Sequence, residues 1–237
     1  MFSGGKDSTR SIELVEGAGY DVSCLVTIIS DNPESYMLHT PNIDLAPLSA
    51  KALDLPIEIG HTKGEKEKEI SDITQTVERA KNTYGFEVLV SGGLASNYQK
   101  TRLETIAKSC GLVSINPLWG IDQKEHLTSL VKDGYRFIIT SVSAEGLGPD
   151  WLGRTIDEKA LSELLHLSST HKFNVAFEGG EAETLVLDCP RFRNAKINII
   201  ESQKEWDGYI GKLDIKTAEL ILKTGRARST GVSSLQL

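Results

Sequence analysis

Residues 3–8 read Ser3-Gly4-Gly5-Lys6-Asp7-Ser8, and their types and spacing suit the handling of phosphate. Two glycines without a Cβ let the backbone turn tightly and come close to a ligand. Successive N–H groups in such a turn form a concavity for anions. Residues 9–15 read as the first turns of a helix, whose N-terminus adds free N–H groups and a positive dipole end. Lys6 supplies a mobile point charge for phosphate oxygens. Asp7 repels phosphate by itself, so it faces Mg²⁺ or orients Lys6. The expected ligand is a di- or triphosphate; the plain alternative is a glycine-rich turn opening a surface helix. The common P-loop has four residues between its first glycine and its Gly-Lys-Ser/Thr end, so this run is a different motif.

A second run, Glu178-Gly179-Gly180-Glu181-Ala182-Glu183-Thr184, puts three carboxylates around a Gly-Gly turn. Glu181 and Glu183 share one face if the segment is extended. Two carboxylates held together raise one pKa or draw in a cation. They suit holding Mg²⁺, gripping a cationic substrate or acting as general base; a hairpin turn with solvated acids is the alternative. A third run, Ser91-Gly92-Gly93, follows an expected strand and offers bare backbone to a flat ring such as adenine, or is a simple strand-to-helix turn. The histidines show no metal-ligand spacing. His39 and His61 fall in crevice loops, whereas His126, His166 and His171 are expected on helix surfaces.

The elements that must position these runs follow from periodicity. The apolar run inside residues 21–30 suits a strand covered on both faces. Residues 31–40 are polar and hold Pro33, so they form a loop at that strand's carboxyl end, where open α/β sheets bind ligands. A helix over 44–53 and a strand over 55–59 follow. Residues 61–69 read as a charged loop and first helical turn. Ile70, Ile73, Val77 and Ala80 mark an amphipathic helix. Strands over 87–90 and 112–115 flank a helix carrying Leu103, Ile106, Ala107 and Cys110, with Tyr98, Gln99, Lys100 and Arg102 on its other side. This alternation predicts a doubly wound parallel α/β sheet. Residues 116–120, Asn-Pro-Leu-Trp-Gly, break it, giving an α/β domain over 1–120 that carries the first run and a smaller α+β domain over 121–225. In the second half, a helix around Leu127 and Leu130, a strand over 135–142, a helix around Leu161 and a strand over 173–177 lead into the glutamate run. Residues 185–188, 196–200 and 206–213 read as strands, 217–223 as a last helix, and 226–237 as a mobile tail.

The bulk numbers narrow the class. A chain of 237 residues with 39% hydrophobic and 25% charged residues is an ordinary globular protein with room for a core. Its net charge of −7 makes it a poor nonspecific binder of nucleic acid. No apolar run approaches the ~20 residues of a membrane span, and no secretory leader is evident ahead of the loop. Three widely spaced cysteines, Cys24, Cys110 and Cys189, suggest no disulfide framework and no Cys-x-x-Cys site. A cytoplasmic location is the expectation, without direct nucleic-acid or membrane partners.

Ser-Gly-Gly-Lys-Asp-Ser resembles the PP-loop of ATP pyrophosphatases, enzymes that split ATP between its α and β phosphates. In them a buried parallel strand leads into the loop. Here two residues, Met1 and Phe2, stand before Ser3, too few for a strand of the usual ~5, so a stub or a shortened start is expected. Taken with Ser35-Tyr36-Met37, residues 64–69, Tyr98-Gln99, Arg102, Pro117-Leu118-Trp119, Gly146-Leu147, Leu152-Gly153-Arg154 and residues 178–190, the chain resembles the diphthine–ammonia ligase family. Ala182 stands where that family usually carries an aromatic residue.

The resemblance implies an ATP-binding domain followed by a substrate domain. It also implies the last step of diphthamide synthesis on translation elongation factor 2. There ATP and Mg²⁺ would activate the diphthine carboxylate as an acyl-adenylate, and ammonium would supply the amide nitrogen. Ser3, Gly4, Gly5, Lys6, Asp7, Ser8, Gly92 and Gly93 are then expected at the nucleotide, with Asp7 as a candidate Mg²⁺ ligand. Tyr36, Tyr98, Arg102, Glu178, Gly179, Gly180, Glu181, Glu183 and Thr184 are expected at the substrate, and Lys6, Asp7, Glu181 and Glu183 in catalysis. Glu181 or Glu183 would take the ammonium proton. Glu178 or Glu183 with the Tyr98 ring would suit diphthine's trimethylammonium. Arg102 would hold a carboxylate or a phosphate. Two rivals stand beside this reading: another ATP pyrophosphatase acting on a different carboxylate or RNA, and an ATP sensor without turnover.

Overall fold

A computed structural model describes residues 1–32, 42–65 and 68–223. The first half alternates helix and strand: α1 (Lys6–Gly17), β1 (Leu25–Ser30), α2 (Ala46–Leu53), β2 (Ile57–Thr62), α3 (Lys68–Tyr84), β3 (Val88–Val90), α4 (Asn97–Ser109) and β4 (Val113–Ile115). The second half runs α5 (Gln123–Lys132), β5 (Arg136–Val142), α6 (Glu158–His171), β6 (Ala182–Asp188), β7 (Ala195–Trp206) and β8 (Gly211–Leu222). Local chemistry starts several helices: Ser96, Asp122 and Asp157 each accept a backbone N–H of the first turn of α4, α5 and α6. In α3 the predicted stripe is the buried face, with Ile73, Val77 and Ala80 all at 0% exposure.

The parallel architecture of the first half is present as two pairs. β1 pairs with β2 from Leu25↔Ile57 to Ser30↔Thr62, and β3 pairs with β4 from Val88↔Val113 to Val90↔Ile115. Met1 and Phe2 lie between them. The Phe2 N–H donates to the Val26 carbonyl at 2.8 Å, Thr27 Oγ1 donates to the Phe2 carbonyl at 2.7 Å, and the Met1 amino group donates to the Val90 carbonyl at 2.6 Å. These two residues thus bond to both neighbouring strands.

The second half is a four-stranded antiparallel sheet in the order β6-β5-β8-β7. β5 pairs along most of β6 but meets β8 only at Ser141 and Val142, so the long β7–β8 hairpin diverges from the rest. One buried cluster contains Phe2, Leu25 and Leu53 together with Leu127, Phe137, Leu164 and Val186. The main core therefore crosses residues 116–120. A second cluster, with Val26, Ile73, Val77, Leu89 and Ile106, lies where α3 and α4 cover the parallel strands.

Four expectations give way. Residues 173–177 are turns rather than a strand, because Asn174 and Glu181 take up their backbone N–H groups. Residues 217–223 are not a helix: they continue β8, whose partner β7 satisfies the backbone up to Leu222. The expected strand over 206–213 is cut by the hairpin turn at Asp207, whose carboxylate accepts the N–H groups of Tyr209 and Ile210. His61 and Thr62 close β2 rather than open a loop. The expected loop over 31–40 and the tail over 226–237 lie largely or wholly outside the described residues.

Burial pulls the Met1 amino group down from 8.0 to about 6. Between those values the unfolded chain binds a proton that the folded chain does not, so stability rises with pH across the window. Thermal melts at pH 6 and pH 8 should show a gain of about 1 kcal/mol or more at pH 8, ~2–4 °C in Tm per kcal/mol for a chain this size. Acetylating the amino terminus should remove that component; an unchanged pH difference would contradict the burial.

Candidate functional site

The loop of residues 3–8 is held in shape from both sides. Gly4 sits at φ +79°, which favours glycine. The Gly4 carbonyl accepts the Val186 N–H at 3.0 Å, and the Lys6 N–H donates to Thr184 Oγ1 at 3.2 Å. The phosphate-type loop therefore rests on β6, directly beside the glutamate run. Ser3 and Ser8 join hydroxyls at 3.2 Å, and Thr9 Oγ1 donates to the Gly5 carbonyl at 2.9 Å. The N–H groups of Asp7 and Ser8, at the start of α1, have no acceptor among the described residues. They remain available for an anion.

Gly92 packs against the same loop. A Cβ there would stand 2.8 Å from the Ser8 nitrogen and 2.9 Å from the Asp7 carbonyl carbon. The expected bare backbone is thus used by the loop itself at Gly92, while Gly93 has open space around its Cα. Ser91 Oγ donates to Asn116 Oδ1, tying this turn to the end of β4.

Together these elements bound a cavity of about 750 Å³, large enough for a nucleotide-sized ligand. The loop, Gly92 and Gly93 line one side, Glu178 to Gly180 with Glu183 and Thr184 another, and Ile28, Ile43, Ile73 and Leu103 give apolar wall. Tyr98 lines it too, with the Arg102 guanidinium 3.5 Å from its ring centroid. One face of Tyr98 is thereby covered by a cation of this chain. Ala182 lines the cavity as a small side chain buried to 3%. Tyr36 lies outside the described residues.

At the loop's centre is a charged chain of contacts. Lys6 is 2% exposed, and its Nζ meets Asp7 Oδ2 at 2.7 Å and the Ala176 carbonyl at 2.7 Å, 5.3 Å from the Phe177 ring centroid. Asp7 Oδ1 meets His126 Nε2 at 2.8 Å. Burial alone would raise the Asp7 carboxyl. The Lys6 ammonium beside it and the hydrogen bond from His126 outweigh that and hold it below the ordinary range. His126, expected on a helix surface, is 3% exposed. The signal in the sequence was its spacing: Leu127 and Leu130 mark the buried face of α5, and His126 stands four residues before Leu130 on that face.

The three glutamates part ways. Glu178 Oε2 accepts the N–H groups of Leu94 and Ala95, both at 3.0 Å, so it ties the loop after β3 to the second half. Glu181 lies just before β6 and folds back, accepting the Asn174 N–H at 3.0 Å and the Gly179 N–H at 2.8 Å. Both its oxygens are engaged in shaping its own turn. Glu183, in β6 and half-buried, lines the cavity. Within the same turn Phe177 takes φ +68°, a conformation that costs a bulky residue of order 1 kcal/mol or more. That backbone directs the Ala176 carbonyl at Lys6.

Among the described residues no group of three or more His, Cys, Asp or Glu side chains is placed to hold a metal. Asp7 alone would supply a carboxylate beside the phosphates, which suits Mg²⁺ carried in largely by phosphate and water oxygens. Burial pushes the Cys24 thiol up to about 11 and Cys189 up to about 12, and raises Cys110. None is a thiolate nucleophile at neutral pH. No helix among the described residues is long and apolar enough to cross a membrane.

Comparison with known proteins covers nearly the whole chain. Residues 1–114 match the diphthamide synthase N-terminal domain, and residues 123–221 match the diphthamide synthase C-terminal domain. A Bos taurus protein named diphthine–ammonia ligase is 32% identical over 213 residues, 81% of this chain and 79% of its own. A Homo sapiens protein of that name is 30% identical, with the same coverage of 81% and 79%. The Schizosaccharomyces pombe protein of that name is 31% identical over 86% of this chain, which spans only 36% of that relative's length. A solved Methanocaldococcus jannaschii structure, titled as a predicted subunit of tRNA methyltransferase, aligns at 19% identity with a TM-score of 0.42. It covers 80% of this chain and 95% of that one, a likeness too loose to bear on function.

The Gly92–loop contact gives a direct test of this geometry. A Cβ at residue 92 meets backbone rather than a flexible side chain, so the loop has to move. Gly92→Ala should cost about 1–3 kcal/mol of stability by overpacking and weaken ATP binding at least ~10-fold, read by thermal melts and calorimetry. Parent-like affinity would place the nucleotide elsewhere.

Proposed function

This chain belongs to the diphthamide synthase family, and from that membership we propose that it amidates diphthine on translation elongation factor 2 with ammonium, consuming ATP. The observation that carries the reading is the seam between the two motifs. Lys6 N–H meets Thr184 Oγ1 and Val186 N–H meets the Gly4 carbonyl, so a phosphate-binding loop and a glutamate-bearing strand open into one cavity. A carboxylate and an α-phosphate held there would be neighbours. In this proposal the two parallel pairs, joined through Met1 and Phe2, act as one doubly wound sheet with the nucleotide at its carboxyl edge.

In the first step a diphthine carboxylate oxygen attacks the α-phosphorus of ATP, and the bond to the β-phosphate breaks to release pyrophosphate. Charge grows on the leaving phosphates. The N–H groups of Asp7 and Ser8 would stabilise it, joined by the Lys6 ammonium once that group turns from Asp7 to the phosphates. Mg²⁺ bound with the triphosphate, with Asp7 as its candidate protein ligand, would neutralise further charge there. In the second step ammonia attacks the acyl carbon of the adenylate, and AMP leaves with the former carboxylate oxygen. Ammonium must first give up a proton. Glu183 lines the cavity from β6, one residue before the Thr184 that docks the loop, so Glu183 is the proposed base. The Tyr98 ring and the Glu183 carboxylate, which both line the cavity, suit the trimethylammonium group. Glu178 and Glu181 brace the backbone around the site.

One observation favours a second reading, a different carboxylate substrate: Ala182 leaves a smaller side chain in the cavity wall than the family's usual aromatic residue. The deciding experiment measures AMP and pyrophosphate from Mg-ATP and ammonium, with and without elongation factor 2 halted at diphthine. Release dependent on that factor, with a loss of about 1 Da from it, is expected. Release without the factor, or only with another acceptor, would discard diphthine. Within the active reaction Glu183→Gln should lower amidation at saturating ammonium by ~10²-fold or more. Undiminished turnover would remove Glu183 as the base.

A further inference from the structure

We propose that His126 is a positioning residue: it holds the Asp7 carboxylate so that the Lys6 ammonium is free to leave for a phosphate. The inference rests on the reading of residues 3–8 as a polyphosphate loop. The Lys6 ammonium is engaged by groups of its own chain. It is paired with Asp7 Oδ2 at 2.7 Å and the Ala176 carbonyl at 2.7 Å. These contacts use two of its three donors, so closing fully on a phosphate draws it away from Asp7. Leaving Asp7 would strand a carboxylate whose side chain is only 20% exposed, and an unpaired charge in such a place is costly.

His126 changes that exchange. Its Nε2 stands 2.8 Å from Asp7 Oδ1, the oxygen that Lys6 does not use. When Lys6 departs, Asp7 keeps a hydrogen-bond donor in place. The imidazole is held rigidly where it meets Asp7. Its side chain is 2% exposed, Ser129 Oγ donates to its carbonyl at 2.7 Å, and Leu127 and Leu130 anchor α5 at 0% exposure. His126 comes from the second half and Asp7 from the first, so the contact also links nucleotide loading to the packing of the two halves. Phosphate affinity is thus set partly by a side chain that touches no phosphate.

The test uses binding, so that it stands apart from turnover. Affinity for the Mg²⁺ complex of α,β-methylene-ATP is measured by calorimetry on the full chain, on His126→Leu and on His126→Gln, whose amide N–H reaches about as far as Nε2. His126→Leu should bind roughly 10- to 100-fold more weakly, and His126→Gln should stay within about 3-fold of the parent. Because His126 acts through Asp7, adding His126→Leu to Asp7→Asn should weaken binding no further than Asp7→Asn alone. Should the leucine variant not fold, His126→Asn, whose amide is too short to reach Asp7, takes its place. Parent-like affinity of the leucine variant, equal loss in the glutamine variant, or full additivity with Asp7→Asn would each overturn the proposal. A parent chain that does not bind the analogue overturns it along with the polyphosphate reading. Binding that depends on His126 in a chain that forms no AMP with the diphthine-bearing factor leaves this proposal standing and removes only the ligase reading.

Discussion

The arrangement depends on the hydrogen bonds that dock the loop of residues 3–8 onto β6, from Lys6 N–H to Thr184 Oγ1 and from Val186 N–H to the Gly4 carbonyl. They join the two most informative stretches of the chain, nearly 180 residues apart, along one edge. Once the loop lies on β6, other features follow. Gly92 must lack a side chain because loop backbone occupies its space. Glu178 can reach back to the N–H groups of Leu94 and Ala95. The main core runs across the middle of the chain, with Phe2 and Leu53 packed in the same cluster as Leu127 and Val186. Each of the contacts that frame the cavity between the halves uses a backbone N–H.

Charge inside this junction is arranged with few donors to spare. Lys6, Asp7 and His126 form a chain of nitrogen–oxygen contacts of 2.7 and 2.8 Å in a poorly hydrated place. Pairing is what makes such burial tolerable, because each member would be costly alone. The Ala176 carbonyl completes the lysine's shell, and it points there through the positive φ of Phe177. Strain of that kind persists where surroundings over-determine it, and it gathers at sites with work to do. The turn that bears it is the one that Glu181 braces with both carboxylate oxygens.

Much of this was legible in residues 1–120, where periodicity and glycine placement predicted the helix and strand order. Burial at Ile73, Val77 and Ala80 follows the 3.6-residue stripe, and α1 opens on the loop that its glycines demanded. The site was legible as two separate motifs because each concentrates chemistry in a few consecutive residues. Partner choice was not. Nothing local in Glu178-Gly179-Gly180-Glu181 says that two of the acids serve backbone N–H groups far or near, and the pairing of His126 with Asp7 spans 119 positions. The tail misled for a different reason. Residues 217–223 mix Ala, Glu, Leu and Lys, good helix formers, yet register with β7 satisfies their backbone and overrides the propensity. Residues 173–177 carry strand-like aromatics, but Asn174 and Glu181 capture the N–H groups a ladder would need.

The central claim is that a carboxylate in the shared cavity attacks the α-phosphate held by the loop. The most direct measurement follows ¹⁸O from a labelled diphthine carboxylate on the elongation factor through one turnover with ATP and ammonium. If the carboxylate is adenylated, AMP leaves with one ¹⁸O in its phosphate, and pyrophosphate carries none. Label in inorganic phosphate with ADP as the nucleotide product, or AMP free of label alongside amidated factor, would contradict the account.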